Sequence, residues 1–205
     1  MRSSHGKLNP DVRMRGVGLI DVVVVMMITL ILGAVSIPQF LRVLYDTQLR
    51  ASAAEVADLM QQARMGAARA NATYPVRFQT TSNLQQVYVD LNNNGSFDTG
   101  EPTITLPPHV VGASGAPNGT GGNPTAFTLV GDTSSGTPYD NSNLLAYSPR
   151  GLPCNYITST STCATPATTY FVYYLQDNRN QGWSAILVTK SGRAKVLMWN
   201  GGTWH

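Results

Sequence analysis

Twelve residues carry the clearest chemical pattern in the chain. They are Asp90-x-Asn92-x-Asn94-Gly95-x-Phe97-Asp98-x-x-Glu101. Hard divalent cations such as calcium take six to eight oxygen ligands, and loops that hold them space oxygen-bearing side chains at alternate positions before a closing glutamate. Here Asp90, Asn92 and Asn94 would offer side-chain oxygens, Ser96 its carbonyl, Asp98 a direct or water-bridged oxygen, and Glu101 two oxygens. Gly95 falls where such loops turn sharply, and Phe97 would fasten the loop to a core. Both flanks read as strands, so the pattern is a calcium loop closing a hairpin and not a helix–loop–helix unit. An Asn/Gly-rich hairpin turn that needs no ion uses the same residue types.

Cys154 and Cys163 are the only cysteines. An even pair, close in sequence and outside the cytoplasm, reads as a disulfide. Two buried thiols are the alternative. The pair alone supplies too few ligands for zinc. Gly192-Arg193-Ala194-Lys195, with Lys190 just upstream, places three cations near one turn, where they could meet phosphate. Such residues also decorate ordinary solvated turns. Catalysis finds no foothold: there is no G-x-S-x-G, no phosphate-cradling glycine loop and no histidine pair at metal spacing. We expect no enzyme.

The elements that must position these residues begin with an apolar run. Val17–Ile37 is 21 residues long and holds one charge, Asp21. As a helix it would span ~31 Å, about one hydrocarbon core. A carboxylate there is costly and usually marks function, although an anchor with an incidental acid near the interface has the same composition. Arg2, Lys7, Arg13 and Arg15 all precede the run, which predicts a cytoplasmic N-terminus and an exported remainder. A cleaved secretory signal fits less well, because the run is too long and Ser36-Ile37-Pro38 is a poor cleavage site. The net charge of +3 largely reflects this leader: residues 1–16 hold four of the 14 basic and one of the 11 acidic side chains, so ten of each remain. That balance argues against a generally basic, nucleic-acid-coating surface.

Beyond Pro38, where a kink is expected, Leu49, Ala53, Val56, Met60, Ala63 and Ala67 repeat at threes and fours. They form one apolar helical face. The helix should stop near Asn71, before Pro75. From Tyr74 the period becomes two, with strands expected at Pro75–Gln79, Gln85–Asp90, Thr103–Leu106, Ala126–Val130, Leu144–Ser148, Thr169–Leu175, Trp183–Lys190 and Ala194–Trp199. Val111–Pro124 and Gly131–Asn143 read as loops. Trp199 and Trp204 should pack a last strand onto the core. The whole is α+β, one long N-terminal helix on an antiparallel sheet.

The segment R-G-V-G-L-I-D, then V-V-V-V-M-M-I and A-V-S-I-P-Q-F, resembles the class III signal of type IV pilins and type II secretion pseudopilins. The pieces V-Y-V-D-L-N-N-N-G-S-F-D-T-G-E, Y-S-P-R-G and T-K-S-G-R-A-K-V resemble the minor pseudopilin GspH and minor pilin FimT branch. The resemblance implies a pilin-like fold divided into a leader at 1–16, a transmembrane and assembly helix at 17–40, an amphipathic periplasmic helix at 41–71 and a β-rich domain at 72–205. It implies cutting by a prepilin peptidase after Gly16 and methylation of the new amine on Val17. Leu19, Ile20 and Pro38 fall on the family pattern. Asp21 stands where the family has Glu, and Val17 where it has Phe or Met. Partners would be other pilins or pseudopilins in a filament rooted in the inner membrane, with the β-rich domain periplasmic. The element Gly192–Lys195 also resembles the G-R-x-R of FimT-type pilins that take up DNA, with Lys195 in place of the last Arg, which implies DNA as a further partner. That exchange loses bidentate phosphate geometry.

Overall fold

The computed structural model describes residues 18–81, 84–113, 116–117, 136–138, 144–166, 170–179 and 181–205. Gly16, Val17 and the expected strand Ala126–Val130 lie outside them. Among the described residues, one helix, α1 (Leu19–Ala70), is followed by eleven strands. The chain divides into two units, one ending at Leu41 and one running Arg42–His205.

In the first unit, α1 shows an almost unbroken apolar surface that is not buried within the protein, with a mean hydropathy of 2.6 in its most apolar window. It is long and apolar enough to cross a membrane. Its hydroxyls are satisfied within the helix: Thr29 Oγ1 donates to the Met26 carbonyl at 2.9 Å and Ser36 Oγ to the Leu32 carbonyl at 2.8 Å. Such back-bonding is what hydrocarbon demands of polar groups. Pro38 lies inside the helix.

In the second unit, α1 buries Leu49, Ala53, Val56, Met60, Ala63 and Ala67, the whole face that the spacing predicts, together with Ser52, Ala57 and Leu59. The helix ends in a left-handed cap. Asn71 has φ 52° and Ala72 N–H donates to the Ala67 carbonyl at 3.1 Å, which satisfies an orphan carbonyl.

Two sheets form, where the sequence pattern suggested one. The first has the order β3 (Thr103–Thr105), β2 (Leu84–Val89), β1 (Tyr74–Thr81), β6 (Leu144–Tyr147), β7 (Pro153–Ile157), β8 (Thr162–Pro166). The second runs β11 (Ala194–Met198), β10 (Gly182–Val188), β9 (Tyr170–Asp177), β4 (Val110–Gly112), with β5 (Gly136–Pro138) also on β9. All pairings are antiparallel except β5 with β9, which is parallel. The chain is therefore α+β. One core joins the α1 face to Val76, Val87, Val89 and Leu145 of the first sheet and to Phe171, Tyr173, Leu175, Ile186 and Val188 of the second. Strand alternation puts Tyr170, Val172, Tyr174, Ala185 and Leu187 on the opposite face of the second sheet, under Trp204. That sheet is thus covered on both sides, and burial raises the Tyr174 hydroxyl to about 12.

Strands β4, β5, β7 and β8 were not anticipated. All four carry Pro or Gly at an end or within, and β8 is a sheet edge rich in Thr. These features weaken an alternating signal without preventing pairing. β4 and β5 begin the corrections to the two expected loops: Val110–Gly112 enters the first and Gly136–Pro138 lies in the second.

Candidate functional site

Three places hold the residues singled out above. The first is the start of α1. Asp21 sits one turn into the helix and its Oδ2 accepts from Gly18 N–H at 3.1 Å, while Asp21 N–H donates to the Gly18 carbonyl at 3.0 Å. This reciprocal pair resembles a capping box and also places the acid favourably at the positive end of the helix dipole. Leu19 and Ile20 are exposed beside it. A Cβ placed on Gly33 would meet nothing within 4 Å, so another helix has open access there.

The second place is the loop joining β2 to β3. Gly95 holds φ 84°, the sharp turn expected of it. Asp90 is buried; its Oδ1 accepts from Asn94 N–H at 3.2 Å and its Oδ2 from Gly95 N–H at 2.9 Å. Glu101 reaches back across the loop, with Oε1 accepting from Leu91 N–H at 2.8 Å and Oε2 from Asp98 N–H at 3.0 Å. The side-chain amides of Asn92 and Asn94 converge on Asp98 Oδ2, at 2.7 and 2.6 Å. Ser96 N–H donates to Asn94 Oδ1 at 2.8 Å, so its own carbonyl is not used in that bond. Phe97 meets the Tyr88 ring edge-on at 5.7 Å, and Tyr88 Oη donates to the Gly95 carbonyl at 3.1 Å.

The donor set fits a hard cation in kind, being carboxylate and carboxamide oxygens without sulfur or imidazole. Among the described residues no three His, Cys, Asp or Glu side chains gather into a metal-holding group, so two of the oxygens would have to be amides. Sequence reasoning missed Arg77. Its Nε lies 2.7 Å from Asp90 Oδ2, a resident positive charge at the first loop position. Behind it, the Arg77 guanidinium stands 5.5 Å from the Tyr156 ring centre, and Tyr156 Oη donates to Asn93 Oδ1 at 2.9 Å. The loop is therefore braced from β1 and β7 as well as from within.

The third place is a pair of turns. Ser148–Leu152 and Thr189–Arg193 are built alike. Gly151 N–H donates to the Ser148 carbonyl at 2.8 Å and Gly192 N–H to the Thr189 carbonyl at 2.7 Å, with both glycines left-handed at φ 70° and 81°. The turns abut. A Cβ on Gly192 would stand 3.1 Å from the Gly151 carbonyl and 3.1 Å from Arg64 Nε. One turn of α1 clasps both, through Arg64 Nε to the Gly151 carbonyl at 3.0 Å and Gln61 Nε2 to the Gly192 carbonyl at 3.1 Å. Arg150, Lys190, Arg193 and Lys195 are exposed around this junction. Lys190 Nζ lies 5.7 Å from the Tyr170 ring. Neither Gln61 nor Arg64 could be singled out from sequence, because a polar residue on a helix flank reads as solvated.

Cys154 and Cys163 form a disulfide that ties β7 to β8. No family model, curated protein or solved structure matches this chain.

Proposed function

We propose that this chain is a minor pseudopilin or minor pilin, a structural subunit of a type II secretion pseudopilus or a type IV pilus. The observation that carries the reading is the first half of α1, an apolar helical surface with one acid, Asp21, a turn inside its start. A membrane anchor needs the surface but not the acid. A subunit that leaves the bilayer to pack against copies of itself uses both, because a neighbour's freed amine can neutralise the carboxylate in a dry bundle. In this reading Gly16 is the cleavage point, Val17 carries the methylated amine, and the chain sits in the inner membrane with residues after the span in the periplasm. It acts by packing, not by bond chemistry. Mass spectrometry of the mature chain should find Val17 at its N-terminus, and Asp21→Ala should abolish incorporation into filaments while Asp21→Glu retains it. Another N-terminus, or normal assembly of Asp21→Ala, would overturn the proposal.

Within that reading the loop Asp90–Glu101 takes calcium as a structural ion, held by oxygens of Asp90, Asn92, Asn94, Ser96, Asp98 and Glu101. The ion would supply fixed positive charge that ties the hairpin together.

One observation favours a second reading, a DNA-binding minor pilin of an uptake pilus. The abutting turns bring Arg150 into the neighbourhood of Lys190, Arg193 and Lys195, two of them arginines capable of bidentate phosphate contact. Gel retardation at low salt separates the readings: DNA binding lost in Arg193→Ala/Lys195→Ala supports it, and equal retardation by variant and wild type removes it.

A further inference from the structure

An open groove of about 270 Å³ lies beside the disulfide, and Cys154 and Cys163 form part of its wall. The rest of the wall comes from the turn Ser148–Leu152 and from Pro153. That turn is held firmly. Ser148 N–H donates to the Leu152 carbonyl at 2.9 Å and Leu152 N–H to Ser148 Oγ at 3.3 Å. Arg64 fastens it to α1 through the Gly151 carbonyl at 3.0 Å. A wall fixed in this way costs little further ordering when a ligand enters. The volume falls just under the ~300 Å³ at which small-ligand clefts begin, so the groove suits a small molecule.

The two cysteines are not equivalent. Cys154 is buried in β7, with 1% of its surface exposed, whereas Cys163 is half-buried on the edge strand β8. Thiol–disulfide exchange begins with a thiolate attacking the sulfur it can reach, which makes Cys163 the attacked sulfur and Cys154 the leaving group. The site is prepared for that departure. Cys154 Sγ lies 3.3 Å from the Ala146 carbonyl oxygen. A disulfide sulfur has no hydrogen to give there, but a thiol has one, so the released Cys154 finds its acceptor in place. Opening the bond also leaves the strands together. Residues 158–161 still join β7 to β8, and the pairs Asn155–Ala164, Tyr156–Cys163 and Ile157–Thr162 do not depend on it.

Charge selects the thiol. Among the described residues no acidic side chain lines the groove, and the exposed Arg150 belongs to its wall. Lys190, Arg193 and Lys195 are exposed around the adjoining junction of turns. A locally positive surface concentrates anions and favours the thiolate over the thiol. A thiol that carries carboxylates gains from both effects, and a neutral thiol gains from the second alone.

We propose that this groove is a thiol-exchange site, where a small anionic thiol of the glutathione class opens the Cys154–Cys163 bond and is carried as a mixed disulfide on Cys163. The thiolate sulfur bonds to Cys163 Sγ, the bond between the two cysteines breaks, and its electron pair leaves on Cys154 Sγ. The proton given up by the incoming thiol ends on Cys154, so no further oxidant or reductant is needed. The inference does not depend on the filament reading. The test uses the full oxidised chain in detergent with millimolar glutathione, quenched in acid, alkylated with N-ethylmaleimide in denaturant and mapped by mass spectrometry. While circular dichroism shows the chain folded, glutathione should be found on Cys163 and the alkyl group on Cys154. With oxidised glutathione, the free Cys163 of Cys154→Ser should be modified at least about tenfold faster than the free Cys154 of Cys163→Ser. Arg150→Ala, added to Cys154→Ser, should slow that reaction severalfold, leave the reaction with neutral 2-hydroxyethyl disulfide unchanged, and lose its effect at high salt. The wild-type mapping needs no variant and stays decisive if a variant fails to fold. A bond that stays intact in the folded wild type, an adduct on Cys154, or equal slowing of the charged and neutral reagents by Arg150→Ala overturns the proposal.

Discussion

Arg77 Nε and Asp90 Oδ2 meet at 2.7 Å, with the carboxylate fully buried and the arginine side chain 12% exposed. Breaking such a pair leaves an uncompensated buried charge and costs roughly 3–5 kcal/mol. Asp90 also accepts two backbone N–H groups of its own loop, so its loss would free more than one donor. Arg77→Met is therefore expected to lower the urea midpoint strongly with an unchanged slope, and Arg77→Lys to lower it less. Equal stability of Arg77→Met and wild type would show that the pair is not what orders the loop.

The same pair bears on the proposal that the loop takes calcium. A guanidinium beside the first loop ligand repels a cation, so calcium should bind at the weak end of such loops, near ~10⁻⁴–10⁻³ M. Chelator-treated protein should gain thermal stability on adding calcium, by about 2.7 kcal/mol at a hundredfold excess over the dissociation constant. Glu101→Gln should lose most of that gain. Calorimetry without binding heat at millimolar calcium, together with an unmoved melting temperature, would remove calcium from this loop.

Gly192 has φ 81°, and a Cβ there would stand only 3.1 Å from both Arg64 Nε and the Gly151 carbonyl. Gly192→Ala must pay for the left-handed backbone and push apart two turns, a cost of about 1–3 kcal/mol. Gly201, also left-handed but with nothing within 4 Å, supplies the control: Gly201→Ala should cost only the backbone strain. A smaller effect at Gly192 than at Gly201 would mean that the junction of the turns is loose.

That junction marks where the sequence stops being legible. The buried face from Leu49 to Ala67 follows from spacing alone, because a helix repeats every 3.6 residues and the core needs one side of it. Strands β9, β10 and β11 follow from Val, Ile, Tyr and Leu in runs. The loop's oxygen-bearing residues were legible for the same reason: their spacing is local. Arg77 was not, since its partner lies across a hairpin register that pairs Arg77 with Tyr88. Gln61, Arg64 and the meeting of Gly151 with Gly192 are likewise products of tertiary approach. Two sheets in place of one, and four short strands, arise from long-range pairing that a weak local alternation does not announce.

The disulfide joins Cys154 to Cys163 across β7 and β8, with Cα atoms 5.5 Å apart. It closes a short loop at a sheet edge, where the unfolded chain loses ~2–3 kcal/mol of entropy in the loop-closure model. Reduction, or Cys163→Ser, should lower the melting temperature by about 5–10 °C without altering the far-ultraviolet circular dichroism. Loss of β-structure on reduction would instead make the bond a condition of folding.

Asp177 closes the turn after β9. It is buried and accepts from Arg179 Nη2 at 2.7 Å, Arg179 Nε at 3.1 Å and Arg179 N–H at 2.8 Å. Arg179 in turn donates to Gln48 Oε1 at 2.8 Å and stacks 3.8 Å from the Tyr45 ring centre, which fastens the turn to α1. Burial pushes the Asp177 carboxyl up, but the hydrogen bonds and charge of Arg179 outweigh it and hold the group below its ordinary value. The unfolded carboxyl titrates near ~3.9. A depressed folded value therefore contributes stability that is complete above that pH and is lost as pH falls toward the folded value. The stability difference between wild type and Asp177→Asn should be full at neutral pH and shrink steadily below about pH 4. A difference that stays constant from neutral to pH ~3 would mean that Asp177 stabilises the turn as a neutral acceptor, and that the clasp on Gln48 and Tyr45 does not depend on its charge.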